Sequence, residues 1–323
     1  MDPAHLPGLF PATVRERLAR SLRLPQTAAP LPEPAGGIAP EEAEVLITGW
    51  GCAPLTAGVL AGLPRLRAVL HAAGSVKGHL TDACWDRGLL VSSAAAANAV
   101  PVAEFALGAV LLAAKDAFRL AARYGTTGRP PSAAETAPLG GNGTRVGVVG
   151  ASRTGRRLIE LLRPFRFEVA VHDPFLSEAE ARDLGVLPLE LDALAATSRI
   201  LTLHAPDLPA TRHLLDARRL ALMPDGATLV NTARGALVDT AALTAELATG
   251  RLGAVLDVTD PEPLPAGSPL FALPNVLLTP HLAGALGNEL ALLGESVAAE
   301  AERLRDGRPL RHAVHRADLA HRA

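Results

Sequence analysis

Cysteine is scarce in this chain, with Cys52 and Cys84 the only two in 323 residues. Two thiols in a chain of this length do not form a disulfide framework, so the composition indicates a reducing compartment. Neither has a second Cys or a His at metal-ligand spacing. We therefore interpret both as buried thiols and expect no metal site.

The chain also lacks an excess of positive or negative charge. The 31 basic and 33 acidic residues nearly cancel, and no basic stripe stands out, so we expect no nucleic-acid partner. The start, MDPAHLPGLF, lacks a basic segment followed by an apolar one and predicts no signal peptide. The longest apolar run, residues 105–114, is too short to span a bilayer. We expect a cytoplasmic protein that does not enter a membrane.

Apolar residues are plentiful, at 49% of the chain, and they occur in short runs between helical patterns. Strands are predicted within 44–51, 66–74 and 88–95. A long helix is predicted from near Pro101 to Tyr124, with Gly125 as its stop. Two stretches are predicted to be irregular, residues 24–40 and 125–144.

From residue 145 the alternation of strand and helix patterns is strict. Strands are predicted in the segments RVGVVG, EVAVHDP, RILTLHAP, ATLVNTAR, GAVLDV and NVLLTPH, and a last helix over 288–307. Continuous apolar strands separated by helices are typical of a parallel sheet covered on both faces. The sequence therefore predicts an α/β fold of two Rossmann-like lobes, an inserted domain over 100–285 and a discontinuous one formed by 1–99 and 286–323.

A glycine turn opens the inserted domain. Gly150 and Gly155 stand where the first and third glycines of G-x-G-x-x-G belong, with Ser152 in the middle place. A strand precedes this turn, a helix is predicted to open at about Thr154, and a second strand ends in Asp173, near the spacing at which an acid bonds an adenosine ribose. The pattern favours a dinucleotide whose pyrophosphate faces the helix N-terminus. From these residues alone, a strand–turn–helix without a ligand remains the alternative.

Three later motifs carry the chemistry: NTARG (231–235), LDVTDPEP (256–263) and PHLAG (280–284). With them the chain resembles the D-isomer-specific 2-hydroxyacid dehydrogenase family, whose signatures are N-x-A-R-G, L-D-V-x-x-x-E-P and P-H-x-A-G. Further matching segments lie at 98–105, 172–174 and 203–215. The resemblance covers nearly the whole chain and is weakest in the first 40 residues and over 125–144.

The resemblance implies NAD-dependent interconversion of a small 2-oxo acid and a D-2-hydroxy acid. Arg234 would hold the substrate carboxylate and polarise the 2-oxo group, because a planar guanidinium offers forked donors to an anion. His281 would be the acid/base, and Glu262 would orient and charge it, since imidazole exchanges protons near neutral pH. The cofactor itself performs the hydride step.

The resemblance also implies which residues bind each ligand. The inserted domain would bind NAD and the discontinuous one the substrate. At the cofactor it places Gly150, Ser152, Arg153, Thr154 and Gly155 (pyrophosphate), Asp173 (ribose), His204, Ala205 and Pro206 (adenosine half), Thr232 and Asp257 (nicotinamide), and also Ala233, His281 and Gly284. At the substrate it places Arg234 and His281, a backbone cradle for the carboxylate at Gly74, Ser75 and Val76, and Asn98 in support of that cradle. The family usually has Gly at position 152 and an aliphatic residue at 154.

Several alternatives accompany this interpretation. Some relatives keep the fold and the catalytic trio yet act as NAD(H)-sensing corepressors, although no interaction tail or basic region is visible here to favour that class. Glu262 and Arg234 argue against the formate dehydrogenase branch, where the resemblance predicts Gln in place of the Glu. Candidates for the pocket that selects the substrate are Trp50, Lys77 and Leu286. The remaining histidines His71, His79, His172 and His213 are interpreted as structural or exposed. A homodimer is expected, and NAD is expected over NADP because Asp173 would repel a 2′-phosphate.

Overall fold

Helices and parallel strands alternate in a computed structural model that describes residues 1–25 and 37–320. In this part of the chain the strands are β1 (Val45–Thr48), β2 (Ala68–His71), β3 (Leu90–Ser93), β4 (Arg145–Val149), β5 (Glu168–His172), β6 (Leu187–Pro188), β7 (Ile200–Leu203), β8 (Thr228–Asn231), β9 (Gly253–Leu256) and β10 (Val276–Leu278). The α-helices are α1 (Leu6–Leu9), α2 (Ala12–Ala19), α3 (Ala57–Ala61), α4 (Asp82–Asp86), α5 (Ala95–Ala113), α6 (Ala117–Thr127), α7 (Ala133–Thr136), α8 (Arg153–Leu162), α9 (Glu178–Leu184), α10 (Leu191–Thr197), α11 (Ala217–Leu222), α12 (Thr240–Ala248) and α13 (Leu290–Arg305). The predicted α/β fold is confirmed.

The chain divides into two compact units. Unit 1 comprises Met1–Ala99 and Ala285–Ala323, and unit 2 comprises Val100–Gly284. Most of the stretch 24–40, which the sequence predicts to be irregular, lies outside the described residues, at 26–36.

Unit 1 contains a parallel sheet in the order β1-β2-β3. Its strands end together, because Thr48 pairs with His71 and His71 pairs with Ser93. On one side, the helix α13 joins a buried apolar cluster in which Leu293 and Val297 accompany residues of α1, α2 and β2. The polar side chains at the carboxyl edge of this sheet, Thr48, His71 and Ser93, are buried.

Unit 2 contains a seven-stranded parallel sheet in the order β10-β9-β8-β7-β4-β5-β6. Helices cover both faces, as the neighbouring residues of β8 show: Leu229 lies in an apolar cluster with Leu201, and Val230 lies in a second cluster with Val110. The chain passes from β4 outward to β5 and β6 and then returns to β7 on the other side of β4. In open α/β sheets a ligand binds outside the carboxyl ends of the strands at such a reversal.

The prediction of one long helix from Pro101 to Tyr124 is wrong about where the helix starts and about its continuity. α5 begins six residues earlier, at Ala95, and contains Pro101 in its interior. The preceding Ala-rich segment explains the earlier start, since Ala has the highest helix propensity. The helix breaks at Asp116, whose φ of +50° is left-handed, and α6 follows.

The irregular loop predicted over 125–144 contains regular structure. α6 continues to Thr127 and ends at Gly128, not at Gly125. α7 then forms a short turn with a complete capping box, in which the Ser132 hydroxyl accepts from the Glu135 N–H and the Glu135 carboxylate accepts from the Ser132 N–H. Reciprocal capping of this kind stabilises a helix start in a segment with little apolar periodicity.

α5 is 19 residues long and apolar enough to cross a membrane by length and composition alone. Its residues Ala103, Ala106 and Val110 are completely buried in the apolar cluster of unit 2. One face of α5 therefore belongs to the core of unit 2, while 33% of its most apolar window as a whole is buried.

Candidate active site

The glycine turn of unit 2 joins the central strand β4 to the start of α8. Ser152 caps this helix, because its hydroxyl oxygen accepts a hydrogen bond from the N–H of Gly155 at 3.3 Å. Gly150 adopts a φ of +98°, and a Cβ on Gly155 would overlap the carbonyl of Gly150. The turn therefore needs both glycines, whereas serine at the middle place satisfies one of the N–H groups of the first helical turn.

Asp173 connects the end of β5 to this turn. One carboxylate oxygen accepts from the N–H of Ala151 at 2.7 Å and the other accepts from the N–H of Phe175 at 2.8 Å. A carboxylate offers about four acceptor positions. Two of them therefore remain for further donors beside the glycine turn, and the sequence predicts that these are ribose hydroxyls.

Two buried polar atoms lie at the ends of the neighbouring strands β7 and β8. The His204 ring bonds the Thr202 hydroxyl through Nε2 at 2.9 Å, and burial lowers its pKa to about 4. The other ring nitrogen, Nδ1, and the Thr232 hydroxyl are buried without a hydrogen-bond partner in the described part of the chain. The His204 side chain lies against Gly155 of the glycine turn. Buried polar groups are normally paired, so these two atoms fit a polar ligand such as a dinucleotide.

The motif NTARG forms a turn that Asn231 closes. The Asn231 side chain accepts from the N–H of Ala233 at 3.1 Å and donates to the carbonyl of Arg234 at 2.9 Å. Asn231 is 1% exposed. Its polar type at the end of an apolar strand was the available signal, although Asn231 is not among the predicted site residues.

Arg234 is partly buried, and its Nη1 donates to the carbonyl of Ala233 at 2.6 Å. A guanidinium has five N–H donors, so most of its capacity is not used by this bond. A Cβ on the next residue, Gly235, would overlap the main chain of Thr259. The turn that presents Arg234 is therefore packed directly against the segment that leads to Glu262.

Asp257 holds the turn that carries His281. The carboxylate is 2% exposed and accepts from the Thr279 hydroxyl at 2.6 Å, the Leu282 N–H at 2.8 Å and the Ala283 N–H at 3.0 Å. These contacts engage the carboxylate with residues 279–283, and the place of Asp257 near the nicotinamide stays a prediction. Thr279 is a second residue that the sequence analysis did not select.

His281 and Glu262 form a direct pair. Nδ1 of His281 lies 2.7 Å from Oε1 of Glu262, and about half of each side chain is exposed, 51% and 42%. His281 has a left-handed φ of +54°, and its N–H donates to the carbonyls of Asp257 and Thr279. With Nδ1–H donating to the carboxylate, Nε2 is the nitrogen that faces proton exchange.

In unit 1 the loop after β2 carries the predicted carboxylate cradle. The N–H groups of Gly74, Ser75 and Val76 have no acceptor among the residues that the structure describes. Asn98 lies beside this loop, since its Nδ2 is 3.5 Å from the Cβ position of Gly74, and its Oδ1 accepts from the Ala285 N–H at 3.0 Å. These N–H groups are therefore donors that an anion could use.

The remaining candidates for the substrate pocket and the cofactor site differ in their contacts and exposure. The Trp50 ring packs edge-on against His5, with centroids 5.5 Å apart, and Leu286 is half-exposed. Ala205 is buried, and the Pro206 carbonyl accepts from the Thr211 hydroxyl.

The described residues contain no group of His, Cys, Asp and Glu side chains able to hold a metal ion.

The structure thus brings together Asp257, Glu262 and His281 by direct contacts. Arg234 is positioned by its own turn, through the bonds with Asn231 and Ala233 of the same motif. The glycine turn and Asp173 form a second group joined through Ala151.

Comparison with known proteins agrees with this geometry. Residues 107–283 match the family model described as D-isomer specific 2-hydroxyacid dehydrogenase, NAD binding domain. The chain is 37% identical over 245 residues to a D-3-phosphoglycerate dehydrogenase of Mycobacterium tuberculosis, which covers 75% of this chain and 46% of that protein. It is 36% identical over 232 residues to an (S)-sulfolactate dehydrogenase of Chromohalobacter salexigens, covering 70% of this chain and 73% of that protein.

A solved structure gives the same result at the level of the fold. A phosphoglycerate oxidoreductase from Rhizobium etli superimposes with a TM-score of 0.79 at 26% identity, covering 97% of this chain and 95% of that chain. The present chain spans about half the length of the phosphoglycerate dehydrogenases that it matches. The family model covers more than half of the chain, and its motifs carry the described contacts. The chain belongs to the D-isomer specific 2-hydroxyacid dehydrogenase family.

Proposed function

We propose that this protein is an NAD-dependent oxidoreductase that interconverts a small 2-oxo acid and a D-2-hydroxy acid. The observation that carries the proposal is the His281–Glu262 pair, with 2.7 Å between Nδ1 and Oε1, in the same unit as the NAD-binding domain. Reduction of a ketone by hydride leaves an alkoxide that needs a proton. An imidazole held by a carboxylate supplies that proton near neutral pH.

The roles of the residues follow from their chemistry. NADH supplies the hydride when it is bound. Arg234 binds the substrate carboxylate and polarises the 2-oxo group with the donors that its turn leaves available. Nε2–H of His281 transfers a proton to the substrate oxygen during reduction and takes it back during oxidation. Glu262 keeps the Nδ1–H in place, so the ring presents the correct nitrogen throughout.

The cofactor is proposed to lie along the carboxyl edge of the unit 2 sheet. The start of α8 would receive the pyrophosphate, together with Ser152, Arg153 and Thr154, and Asp173 would receive the ribose hydroxyls. The unpaired Nδ1 of His204 and the Thr232 hydroxyl support a polar ligand there, and His204–Pro206, Ala233 and Gly284 complete the proposed set. Residues 100–285 would then be the cofactor domain.

The substrate domain is proposed to consist of residues 1–99 and 286–323. Its part in binding is assigned to the unpaired N–H groups of Gly74, Ser75 and Val76, which would receive the substrate carboxylate. The relatives named as phosphoglycerate and sulfolactate dehydrogenases act on acids with a second anionic group, so such acids belong in the substrate panel. The expected homodimer and cytoplasmic location remain predictions.

Oxidation of NADH with a panel of 2-oxo acids tests the function, and the panel includes phosphorylated, sulfonated and dicarboxylic acids. Turnover of at least one acid supports the proposal. Binding of NADH without oxidation by any acid contradicts it and supports an NAD(H) sensor. Efficiency with NADPH should be lower than with NADH, because Asp173 repels a 2′-phosphate. Equal efficiency with both cofactors would show that Asp173 does not select the cofactor.

The variant Arg234→Ala tests the substrate-binding role. Loss of charge-assisted hydrogen bonds costs about 1.5–3 kcal/mol, so kcat/KM should fall roughly tenfold to a hundredfold. Arg145→Ala is the matched control, because Arg145 lies at the amino end of β4 and pairs with Glu168 at 3.2 Å. If Arg234→Ala keeps half of the efficiency while Arg145→Ala behaves like wild type, another residue holds the carboxylate.

A further inference from the structure

A guanidinium lies beside the glycine turn, next to the acid that is predicted to bind the adenosine ribose. Arg156 stands near the start of α8, and its Nε donates to the carbonyl of Ala151 at 2.9 Å. The N–H of the same Ala151 donates to Asp173 at 2.7 Å. A single residue of the turn therefore connects the cation of Arg156 with the carboxylate of Asp173.

A carboxylate from the following helix binds the tip of this guanidinium. Nη2 of Arg156 donates to Oε1 of Glu180 at 2.8 Å. Glu180 lies in α9, the helix that follows the loop after Asp173. Both side chains are partly exposed, so a charged group of a ligand can reach this ion pair.

Ser177 fixes Glu180 independently of Arg156. Oε2 of Glu180 accepts from the N–H of Ser177 at 3.1 Å and from its hydroxyl at 2.8 Å, and the Ser177 hydroxyl oxygen accepts from the N–H of Glu180 at 3.2 Å. These bonds, followed by the one from Arg156, hold the pKa of Glu180 below its ordinary value. Glu180 is therefore charged near pH 7 and stays in place when Arg156 changes.

The charges around the predicted ribose site leave a negative balance. Asp173 and Glu180 each contribute one negative charge near pH 7, and Arg156 contributes one positive charge. The intervening loop, PFLSEA, adds the carboxylate of Glu178 and no cation. A phosphate monoester carries about two negative charges at this pH. Because like charges repel, a cofactor with a 2′-phosphate is disfavoured here as long as Glu180 occupies Arg156.

We propose that Glu180 is a cofactor-selecting residue: it engages Arg156, a cation that would otherwise serve a 2′-phosphate, and so favours NAD over NADP. This inference rests on the proposed function, in that Asp173 is assigned to the ribose of the cofactor. It adds a second contribution to the repulsion by Asp173. In this scheme neither Arg156 nor Glu180 contacts the reacting atoms, so the effect appears in cofactor affinity and not in the rate of hydride or proton transfer.

Calorimetric titration with NADH and with NADPH gives the two Kd values without turnover. Glu180→Gln removes the charge but keeps a side chain suited to the capping box. It should lower the Kd of NADPH about fivefold relative to that of NADH, because the guanidinium can then form charge-assisted bonds with a phosphate. The Kd of NADH itself should stay within about twofold, since a partly exposed ion pair contributes little to stability.

Arg156→Ala should act in the opposite direction. Both substitutions break the same ion pair, but this one leaves the carboxylates of Asp173 and Glu180 without the cation. The Kd of NADPH should therefore rise about fivefold relative to that of NADH, whereas Arg156→Lys should keep the wild-type ratio because it keeps the charge. A purely structural ion pair would change the ratio in the same direction in Glu180→Gln and Arg156→Ala, or in neither. Opposite shifts are thus specific to cofactor selection.

Two matched controls each remove one charge from the same helices. Glu178→Gln acts on α9, where Glu178 pairs with Arg182 at 3.7 Å. Arg157→Ala acts on α8, where Arg157 pairs with Glu160 at 3.0 Å. Shifts in these controls as large as those in the test variants would show that net charge alone sets the ratio, and would overturn the proposal.

The selecting role and the dehydrogenase activity can fail separately. A Kd ratio that Glu180→Gln and Arg156→Ala leave unchanged, or shift in the same direction, overturns the selecting role even if wild type reduces a 2-oxo acid with NADH. A wild type that binds NADPH as tightly as NADH overturns it too. Opposite shifts in a protein that reduces no acid of the panel support the selecting role and reject the dehydrogenase activity instead.

Discussion

Asp257 provides the sharpest test of how the active site is held together. Its carboxylate accepts three hydrogen bonds from the turn of His281: the Thr279 hydroxyl and the Leu282 N–H on one oxygen, and the Ala283 N–H on the other. The variant Asp257→Asn keeps the shape of the side chain but removes its charge. It also replaces one acceptor oxygen by an NH2 group.

The size of the effect follows from these contacts. If the Asn oxygen faces Thr279 and Leu282, its NH2 group meets the Ala283 N–H, donor against donor. If the amide is reversed, the NH2 group meets the Leu282 N–H. In either case a backbone N–H loses a charged acceptor, and a buried unsatisfied donor costs about 1–3 kcal/mol. With the weakening of the remaining bonds we expect a total of about 3 kcal/mol, or about a hundredfold in an equilibrium constant.

Two measurements check this expectation, the kcat/KM for 2-oxo acid reduction and the free energy of unfolding from urea titration. Asp257→Asn should lower kcat/KM by up to about a hundredfold, because His281 depends on the turn for its left-handed backbone. Asp216→Asn is the control, since Asp216 accepts one backbone N–H at the start of α11 and Asn caps helices equally well. If Asp257→Asn keeps wild-type efficiency and stability, the carboxylate does not hold the turn.

Three further predictions follow from the described contacts. Glu262→Gln should lower kcat/KM for reduction roughly tenfold or more, because a neutral amide is a weaker acceptor for the Nδ1–H of His281 than a carboxylate; full efficiency in this variant would remove Glu262 as the partner of His281. Acidification should destabilise the fold: burial lowers the pKa of His71 and of His204 from 6.5 to about 4, so the unfolded chain binds more protons between these values. The stability from each neutral ring is complete above about pH 6.5 and falls by about 3 kcal/mol as the pH drops to 4, and urea midpoints that do not change in this range would contradict it. Gly235→Ala should abolish most activity, because its Cβ overlaps the main chain near Thr259; an active, equally stable variant would show that this segment adapts.

Much of the fold was predictable because the relevant signals are local. Apolar runs of β-branched and aliphatic residues, separated by helical patterns, predict buried parallel strands, and the structure contains them. The errors lie where tertiary packing outweighs the local tendency of Pro and Gly to begin or end a helix. Pro101 does not begin α5, and Gly125 does not end α6. A single Pro or Gly changes the local free energy by about 1–3 kcal/mol, which the packing of a whole apolar face can exceed.

The candidate site was predictable to the extent that motifs specify it. His281 and Glu262 were paired on the resemblance, and the structure places them 2.7 Å apart. Ser152 appeared as a departure from the glycine pattern, and it serves as the cap of α8. Asn231 and Thr279 were not selected, because their role depends on which groups the turn brings near them.

The sequence by itself determined the alternation of elements, the family and the residue types of the proposed chemistry, since each depends on neighbours in the chain or on motifs in order. Only the tertiary structure decided which polar atoms meet. Asp257 bonds a turn more than 20 residues away, and His71 bonds Thr48 across 23 residues. Periodicity predicts which face of a strand a side chain occupies. The side chain that it contacts on that face depends on the sheet register and the path of the loops, and both arise only when the whole chain packs.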